Sequence, residues 1–424
     1  MTSLVRDLNI VVCGVGAEVA GGAIHVTSTS GASARGLVAG VNADAAAVVP
    51  GADAIIISLP GPAVAPMLAE LAPHLAAHQL VLLLRGMGPA NYMAFSKAAE
   101  AAQGPGTPLP FFAATKALPW DCCALSPGCV VVSGGPMARA VPVAAAPGAP
   151  AAARAALPQL LGGLFPGTVF ELHDTPLDTV LGIAYGLELN ALVRPAIMYG
   201  TWAEWDGSPL AAPPRFYRDA SPAAAAAVDG LAADARAVVS ALCGALRVPM
   251  PKGIAAGPRA VLAVTCRGQI ADTSTTLSAL RTNAALERVE HPMCAAAGGG
   301  WLPDFSSAPL SEDLPCGLVP VRGVAEILGV ETPWLDRVIG WAQRVTGREW
   351  LVGGRLAGRD VAWSDAPQRF GARTLQALLV AAPAAAAKVV QPLPAGGTVS
   401  GALQGPVPPC SSPFAGISIV PSRA

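Results

Sequence analysis

The sequence has no long basic run and no patch in which aromatic and basic residues alternate. Its 424 residues carry 27 Lys and Arg against 28 Asp and Glu, which gives a formal net charge of -1. A protein that binds nucleic acid through phosphate contacts needs a clear excess of Lys and Arg on one face. The composition therefore argues against nucleic acid as a partner.

Long apolar stretches are also missing, although 53% of the residues are hydrophobic. The apolar runs are short or broken by proline, and none reaches the roughly 18 residues that a membrane-spanning helix needs. The N-terminus, MTSLVRDLNIVV, lacks the basic start and the long apolar core of a signal peptide. We therefore expect a cytoplasmic protein without a membrane partner.

The cysteines form no paired pattern. There are nine of them, an odd number, and no Cys-x-x-Cys occurs. This spacing argues against both a disulfide framework and a zinc site. Reduced thiols in a cytosolic protein are the simplest interpretation, and we expect no metal.

What the sequence does contain is an alternation of short apolar runs and helical patterns. Runs of this length that alternate with helices predict a parallel sheet. Val130–Ser133 and Ala140–Ala145 are predicted to form an antiparallel end of the same sheet. The other predicted elements are strands at Ala54–Leu59, Leu80–Leu84 and Pro110–Ala114, and helices at residues 63–75 and 92–102.

Glycine turns follow two of the apolar runs. Gly14 and Gly16 come after the run Leu8–Cys13, and Gly86 and Gly88 come after the strand near residue 80. Such turns either bring the backbone close to a dinucleotide pyrophosphate or are plain turns. Val19 stands where a third glycine belongs, and no acidic residue ends a clear second strand. Only about 40 residues separate this turn from the strand at residue 54, so we expect the first βαβ unit to be shortened or missing.

The stretch from Ala308 to Thr346 has the most specific pattern. The acidic pair Glu312 and Asp313 precedes Pro-Cys-Gly, and two helical patterns follow. The first ends at Gly329, and the second opens with Thr332 as N-cap and a proline at the first helical position. The pair is either catalytic or a helix-capping or solvated pair, and the residue types alone leave these alternatives open.

Four segments in one order resemble the octopine/nopaline (opine) dehydrogenase family. They are Glu-Asp-Leu-Pro-Cys-Gly-Leu-Val-Pro with the helices after it, NALVRPAIMYG at 190–200, Phe-Tyr-Arg at 216–218 and Arg-Thr-Asn at 281–283. The likeness covers roughly residues 50 to 370. It implies an α/β Rossmann-like domain with a parallel sheet at 1–172 and an all-α opine dehydrogenase-type domain at 173–371. Residues 372–424 are rich in Ala, Pro, Gly and Ser, and we expect a mostly disordered tail there.

The resemblance also implies a function. It implies an oxidoreductase that uses NAD or NADP in the reductive condensation of an amino acid with a 2-oxo acid. The cofactor would lie near Gly14, Gly16, Pro60, Gly86 and Gly88, with binding weakened by the incomplete glycine turn. The alternative is a degenerate homologue that binds a metabolite or a partner without catalysis.

The catalytic residues implied by the resemblance are Asn190, Arg194 and Asp313. In the family, a histidine stands where this chain has Arg194, and it relays a proton together with the aspartate. Arginine stays protonated, so it binds carboxylates but does not shuttle protons. Arg281 is a second candidate for binding the substrate carboxylate, because Ala308 stands near the place where the family has an arginine. We therefore predict that Arg194 and Asp313 form an ion pair across an interdomain cleft, with Asn190 beside them.

Overall fold

The computed structural model describes residues 9–14, 23–28, 31, 33–37, 40–86, 89–120, 122–126, 129–132, 140–146, 149–173, 190–250, 252–266, 268–380 and 416–421. The chain divides into two compact units. Unit 1 comprises Met1–Thr179 and Val380–Ala424, and unit 2 comprises Val180–Leu379.

The described strands are β1 Asn9–Gly14, β2 Ala23–Ser28, β3 Ser33–Leu37, β4 Gly40–Val41, β5 Ala54–Ser58, β6 Leu80–Leu83, β7 Phe111–Thr115, β8 Cys122–Ser126, β9 Cys129–Val132, β10 Val141–Ala145, β11 Phe170–Leu172, β12 Met293–Ala295, β13 Trp301–Pro303, β14 Leu351–Val352, β15 Arg355–Leu356 and β16 Gly416–Pro421. The described α-helices are α1 Ala45–Val48, α2 Gly61–Leu71, α3 Pro89–Gln103, α4 Ala151–Leu164, α5 Asn190–Trp202, α6 Pro222–Leu246, α7 Lys252–Thr265, α8 Thr276–Arg281, α9 Ala308–Ser311, α10 Val319–Leu328, α11 Pro333–Thr346 and α12 Leu375–Val380.

Unit 1 is built on an eight-stranded sheet with the order β11-β10-β7-β6-β5-β1-β16-β4. β4, β16, β1, β5, β6 and β7 run parallel, and β10 pairs antiparallel with β7. The predicted parallel sheet is thus confirmed. Residues 54–57 and 80–83 are buried along their whole length, as expected of continuous apolar strands covered on both faces.

β9 does not extend this sheet, so the prediction for Val130–Ser133 is wrong. It pairs antiparallel with β8 and parallel with β2, in a separate four-stranded sheet of order β3-β2-β9-β8. Short runs of β-branched residues favour a strand, but they do not determine which strands become its neighbours. The predicted strand at Ala140–Ala145 does form the expected antiparallel partner of β7.

The strand after the first glycine turn also leaves the main sheet. β1 pairs with β5 in the register Ile10 to Ala54, so it is a central strand of that sheet. The next strands in sequence, β2 and β3, belong to the four-stranded sheet. Consecutive residues therefore do not build a complete first βαβ unit inside the main sheet.

Residues 416–421 correct the expectation of a disordered tail. They form β16, which lies between β1 and β4 and runs parallel to both. Residues 375–380 form helix α12. The prediction of a tail rested on composition, and it overlooked Ile417, Ile419 and Val420, three β-branched residues that suit a strand. The rest of the predicted tail beyond residue 380 lies outside the described residues.

Unit 2 is helical, with two short hairpins formed by β12–β13 and β14–β15. The predicted apolar faces are confirmed. Leu335, Val338 and Ile339 of α11 are fully buried, and so is the stripe along α6. α11 begins after Thr332, but the side chain of Thr332 makes no capping hydrogen bond.

The N-terminus of α11 is capped from another helix. Asp234 of α6 accepts hydrogen bonds from the backbone N–H groups of Trp334 and Leu335, at 2.7 and 2.8 Å. Burial raises the pKa of Asp234, and these two bonds act in the opposite direction. A carboxylate at a helix N-terminus satisfies unpaired donors and complements the helix dipole. This contact locks α6 and α11 together.

Among the described residues, no helix has the length and apolar character needed to cross a membrane. The six cysteines whose side chains are described are free. Burial raises the pKa of Cys13 in β1 to about 12, so its thiol is unreactive near neutral pH.

Candidate active site

Arg194 and Asp313 form a two-point ion pair. Arg194 Nη2 donates to Asp313 Oδ1 at 2.7 Å, and Arg194 Nε donates to Asp313 Oδ2. A guanidinium matches a carboxylate in this geometry with two parallel charge-assisted bonds. The predicted pairing is confirmed, but both residues lie in unit 2, so the prediction that it spans two domains is wrong.

Two helical segments hold the pair. Arg194 lies on α5, and Asp313 immediately precedes the π-helical turn Leu314–Leu318. The Pro-Cys-Gly sequence at residues 315–317 lies within that turn. A Cβ placed on Gly317 would come within 2.4 Å of Ala191 Cβ, so only glycine allows the turn to approach α5 this closely. π-helical turns are rare and are frequent at functional sites.

Asp313 is the more buried member of the ion pair. Asp313 is 7% exposed, whereas the side chain of Arg194 is 26% exposed. Burial lowers the pKa of Arg194, and the hydrogen bond and charge of Asp313 more than offset this, so its pKa is raised. Arg194 therefore stays a cation, and about a quarter of its side chain is exposed. It can bind an anion, but it cannot exchange protons near neutral pH.

Tyr217 lies in the electrostatic environment of the pair and was not singled out as a site residue. It is buried beside Phe216, with ring centroids 5.0 Å apart. Burial raises the pKa of Tyr217 to about 12, and Arg194 lowers it to a smaller extent. The phenol is neutral near pH 7 and can donate a hydrogen bond. In the sequence, the only signal that could have identified Tyr217 is its position in the Phe-Tyr-Arg segment.

The other predicted residues of unit 2 lie as follows. Asn190 is the first residue of α5, one turn before Arg194, and i,i+4 residues share a helix face. Arg281 Nε donates to the carbonyl of Ala220 at 2.9 Å, which gives it a structural role. Glu312 precedes Asp313, and its carbonyl accepts from the N–H of Cys316 at 2.9 Å.

A partly buried aspartate, Asp365, lies behind the π-helical turn, and sequence reasoning missed it. Asp365 donates its backbone N–H to the carbonyl of Pro315 at 3.0 Å. Burial raises the pKa of Asp365 to about 6, while Arg369 and a hydrogen bond with Cys316 lower it. Burial also raises the pKa of the Cys316 thiol well above its usual value. Asp365 thus supports the turn that carries Asp313.

His291 is a further group of unit 2 whose pKa is strongly perturbed. Trp202 Nε1 donates to His291 Nδ1 at 3.2 Å, and the imidazole packs against Phe216. Burial lowers the pKa of His291 to about 4, so the ring is neutral at pH 7. It is a core histidine among aromatic rings. Among the described residues, no three His, Cys, Asp or Glu side chains gather as a metal site would require.

The predicted cofactor residues lie at one end of the main sheet. The parallel strands β1, β5, β6 and β7 end along one line, the carboxyl edge, because they share one direction and register. Gly14 is the last residue of β1 and registers with Ser58. Pro60 directly precedes α2, so a helix N-terminus begins at this edge. Gly16 and Gly88 lie outside the described residues.

Gly86 has a structural reason to be glycine. Its N–H donates to the carbonyl of Thr115 at 3.0 Å, and its carbonyl accepts from Asn91 Nδ2 at 3.1 Å. A Cβ at this position would overlap the side chain of Leu83. Open parallel sheets bind ligands outside the carboxyl ends of their strands, so this edge fits a dinucleotide.

The helical unit matches a known family of domains. Residues 183–346 match the family model for the NAD/NADP octopine/nopaline dehydrogenase alpha-helical domain. The helical part of this chain is therefore similar to the helical domain of octopine/nopaline dehydrogenases. Arg194 and Asp313 both lie within the matched residues.

Relatives of this family share sequence with about half of the chain. Tauropine dehydrogenase of Arabella iricolor is 36% identical over 194 residues, which are 46% of this chain and 48% of the relative. Octopine dehydrogenase of Pecten maximus is 34% identical over 224 residues, 52% of this chain and 53% of the relative. The chain thus spans about half the length of the relatives that it matches.

Solved structures extend the comparison to both units at the level of fold. Octopine dehydrogenase with NADH and L-arginine has a TM-score of 0.72 and 24% identity, and the match covers 88% of this chain and 98% of that one. Yersinopine dehydrogenase without ligand has a TM-score of 0.57 and 13% identity, over 87% and 99% of the two chains. The Rossmann-like α/β region and the helical dehydrogenase domain of the prediction are therefore confirmed as fold.

Proposed function

We propose that this chain is an opine-dehydrogenase-type oxidoreductase. It would use NAD(P)H to reduce the imine formed between the amino group of an amino acid and the carbonyl of a 2-oxo acid. The observation that carries the proposal is the octopine/nopaline dehydrogenase helical domain at residues 183–346, in a chain whose fold follows octopine dehydrogenase over 98% of that protein. A cytoplasmic location remains part of the proposal and follows from the cysteine pattern.

The residues that would hold the cofactor are those at the carboxyl edge of the main sheet. Gly14 ends β1 there, Pro60 precedes the N-terminus of α2, and Gly86 ends the turn after β6. A helix N-terminus favours the negative charge of a pyrophosphate. When bound, the cofactor supplies the hydride that converts the imine carbon to a secondary amine.

Arg194 would bind the carboxylate of the substrate. Asp313 takes two of its N–H groups, and a guanidinium has five. The exposed quarter of the side chain leaves room for an anion on the outer side. The two bonds to Asp313 then fix the plane of the guanidinium and so orient it toward a bound carboxylate.

The Arg194–Asp313 pair would not relay protons. Loss of water from the carbinolamine needs an acid, and reduction of a neutral imine needs one proton besides the hydride. A group with a pKa near neutrality suits this work, and Arg194 has none in that range. We therefore expect proton transfer through solvent and a slow reaction.

Oxidation of the reduced nicotinamide tests the proposal. The full chain is incubated with NADH or NADPH, pyruvate and each common amino acid in turn, and the product is identified by mass spectrometry. Cofactor oxidation that needs both substrates, with formation of the secondary amine, supports the proposal. No product with any pair, at high enzyme concentration, contradicts it.

One observation favours a second candidate function. A cation with a raised pKa occupies the place of the proton-relaying group, which suits a homologue that binds a metabolite without hydride transfer. In that case, calorimetry would detect binding of a carboxylate ligand such as an amino acid, and its affinity would fall in R194Q. The same protein would oxidise no NAD(P)H.

A further inference from the structure

β16 is an internal strand of the parallel part of the main sheet, next to the edge strand β4. Its six residues register with all six residues of β1, from Asn9 with Gly416 to Gly14 with Pro421. On its other side, Ser418 and Ile419 register with Gly40 and Val41. Both neighbours are parallel to β16, so β16 ends at the carboxyl edge beside Gly14.

The sheet depends on this strand in two ways. β4 pairs with no other strand among the described residues, so β16 alone connects it to the sheet. β1 has β5 on one side and β16 on the other, and it would otherwise expose one row of backbone donors and acceptors. Such an unpaired edge is costly when it is buried and prone to association when it is exposed.

The strand order gives β16 a defined place in a doubly wound sheet. Such sheets have the order 3-2-1-4-5-6, in which the first strand lies at the point where the order reverses. Here β1, β5, β6 and β7 take the places of strands 1, 4, 5 and 6, and β4 takes the place of strand 3. β16 takes the place of strand 2, whose carboxyl end borders the ribose of the adenosine half in dinucleotide-binding sheets.

We propose that residues 416–421 supply the second strand of the nucleotide-binding sheet and that dinucleotide binding depends on them. This inference rests on the proposed function for its ligand, NAD(P)H, and on strand pairing for its geometry. A segment more than 370 residues from β4 in the sequence thus completes the side of the sheet that borders the adenosine ribose.

A graded series at Ser418 tests the inference in the full chain. S418T keeps the ladder and favours a strand, S418G weakens it, and S418P removes a backbone donor and is not tolerated inside a central parallel strand. Two quantities are measured for each variant. One is the dissociation constant of NADH and of NADPH by fluorescence titration, and the other is amide hydrogen exchange of peptides that contain residues 9–14, 40–41 and 190–202.

The inference predicts that both quantities follow the strand series. Nucleotide affinity should be unchanged in S418T, lower in S418G and lower by about tenfold or more in S418P, a factor of ten being about 1.4 kcal/mol. Exchange should become faster at residues 9–14 and 40–41 in the same order. Residues 190–202 of unit 2 should keep their protection, which shows that the variants remain folded.

Two results would overturn the inference, and they differ from failure of the proposed function. S418P that binds nucleotide as tightly as S418T, or S418P with unchanged exchange at residues 9–14, would remove β16 from the nucleotide-binding sheet. An unmodified chain that binds neither NADH nor NADPH would overturn the proposed function along with the dependence on β16. The exchange series would still determine whether β16 pairs with β1.

Discussion

At the scale of single residues, Asp313 depends on one cation. Its carboxylate is 7% exposed and accepts two bonds from the guanidinium of Arg194. A buried ion pair adds little stability compared with an apolar pair, but the removal of one partner leaves a charge that burial penalises. The pair is therefore costly to break and its geometry is well determined.

R194A should lower the free energy of unfolding of unit 2 by about 3 kcal/mol, because the Asp313 carboxylate stays buried without its partner. The double variant R194A/D313N should be more stable than R194A, since it carries no unpaired charge. Urea unfolding measures both. Equal stability of R194A and the unmodified chain would show that Asp313 does not need the guanidinium.

Asp365 makes stability depend on pH. Its pKa in the folded protein is about 6, above its ordinary value of 3.8, so the folded state binds this proton more tightly. The folded state therefore loses about 2–3 kcal/mol as the pH rises from about 4 to 6, and no more above that. D365N should abolish this loss. Unfolding free energies of D365N that fall in parallel with those of the unmodified chain would contradict it.

His291 changes the stability of the fold with pH in the opposite direction to Asp365, over nearly the same pH range. Its folded pKa is about 4, below its ordinary value of 6.5, so the unfolded state binds this proton more tightly. Stability should fall by about 2–3 kcal/mol as the pH is lowered from about 6.5 to 4. H291N, which keeps an acceptor for Trp202, should not show this fall. In the unmodified chain the two groups oppose each other, so its profile should be flatter than that of either variant.

The sequence allowed only part of this site to be predicted. Arg194 and Asp313 could be paired because the resemblance places two interacting residues at those positions. Asp365 lies 52 positions after Asp313, and no periodic pattern or motif connects them. Tyr217 was identified only as a member of the Phe-Tyr-Arg segment at residues 216–218. Contacts between polar side chains that lie far apart in the sequence produce no periodicity and no motif, so the sequence does not predict them.

At the scale of elements, the contact between α5 and the π-helical turn determines the position of the pair. Gly317 and Ala191 approach so closely that a Cβ on Gly317 would lie 2.4 Å from that of Ala191. Close packing leaves no space into which either segment can move without disturbing its neighbours.

G317A should therefore destabilise unit 2 by about 1–3 kcal/mol, the usual cost of overpacking a well-packed core. It should also weaken any carboxylate binding at Arg194, since α5 has to shift. G340A is the matched control. A Cβ at Gly340 of α11 meets nothing within 4 Å, so alanine there should stabilise the helix by about 0.5–1 kcal/mol. The same urea experiment measures both, and similar effects of the two substitutions would contradict the close approach.

Helices of unit 2 were predicted well because their apolar faces are periodic. Val338 and Ile339 lie on the face that the sequence indicated, and Gly329 and Gly347 end the two helices in left-handed conformation. The cap of α11 was predicted less well. Thr332 has the right residue type and position, yet Asp234 of α6 supplies the hydrogen bonds. A contact between two helices therefore caps α11, instead of the local Thr332 side chain that the sequence favours.

At the scale of the whole chain, strand type was easier to predict than sheet membership. β5, β6 and β7 follow one another in the sheet because short crossovers join parallel neighbours. β9 and β16 do not follow their sequence neighbours, and their partners come from remote parts of the chain. Composition alone predicted that residues 372–424 form one mostly disordered tail. In the structure, residues 375–380 form helix α12 and residues 416–421 form strand β16.

The replacement of Arg194 by His tests the central claim most directly. The claim is that this chain is an opine-dehydrogenase-type oxidoreductase in which an Arg–Asp pair has replaced a proton relay. A neutral imidazole beside Asp313 can exchange protons near pH 7, and such a general acid contributes about 100- to 10,000-fold in rate.

The measurement is the rate of NAD(P)H oxidation with pyruvate and an amino acid, for the unmodified chain, R194H and the matched control R194Q. The account predicts slow turnover by the unmodified chain, a rise of about a hundredfold in R194H and no rise in R194Q. Fast turnover by the unmodified chain, or a rate in R194H no higher than in R194Q, would contradict it.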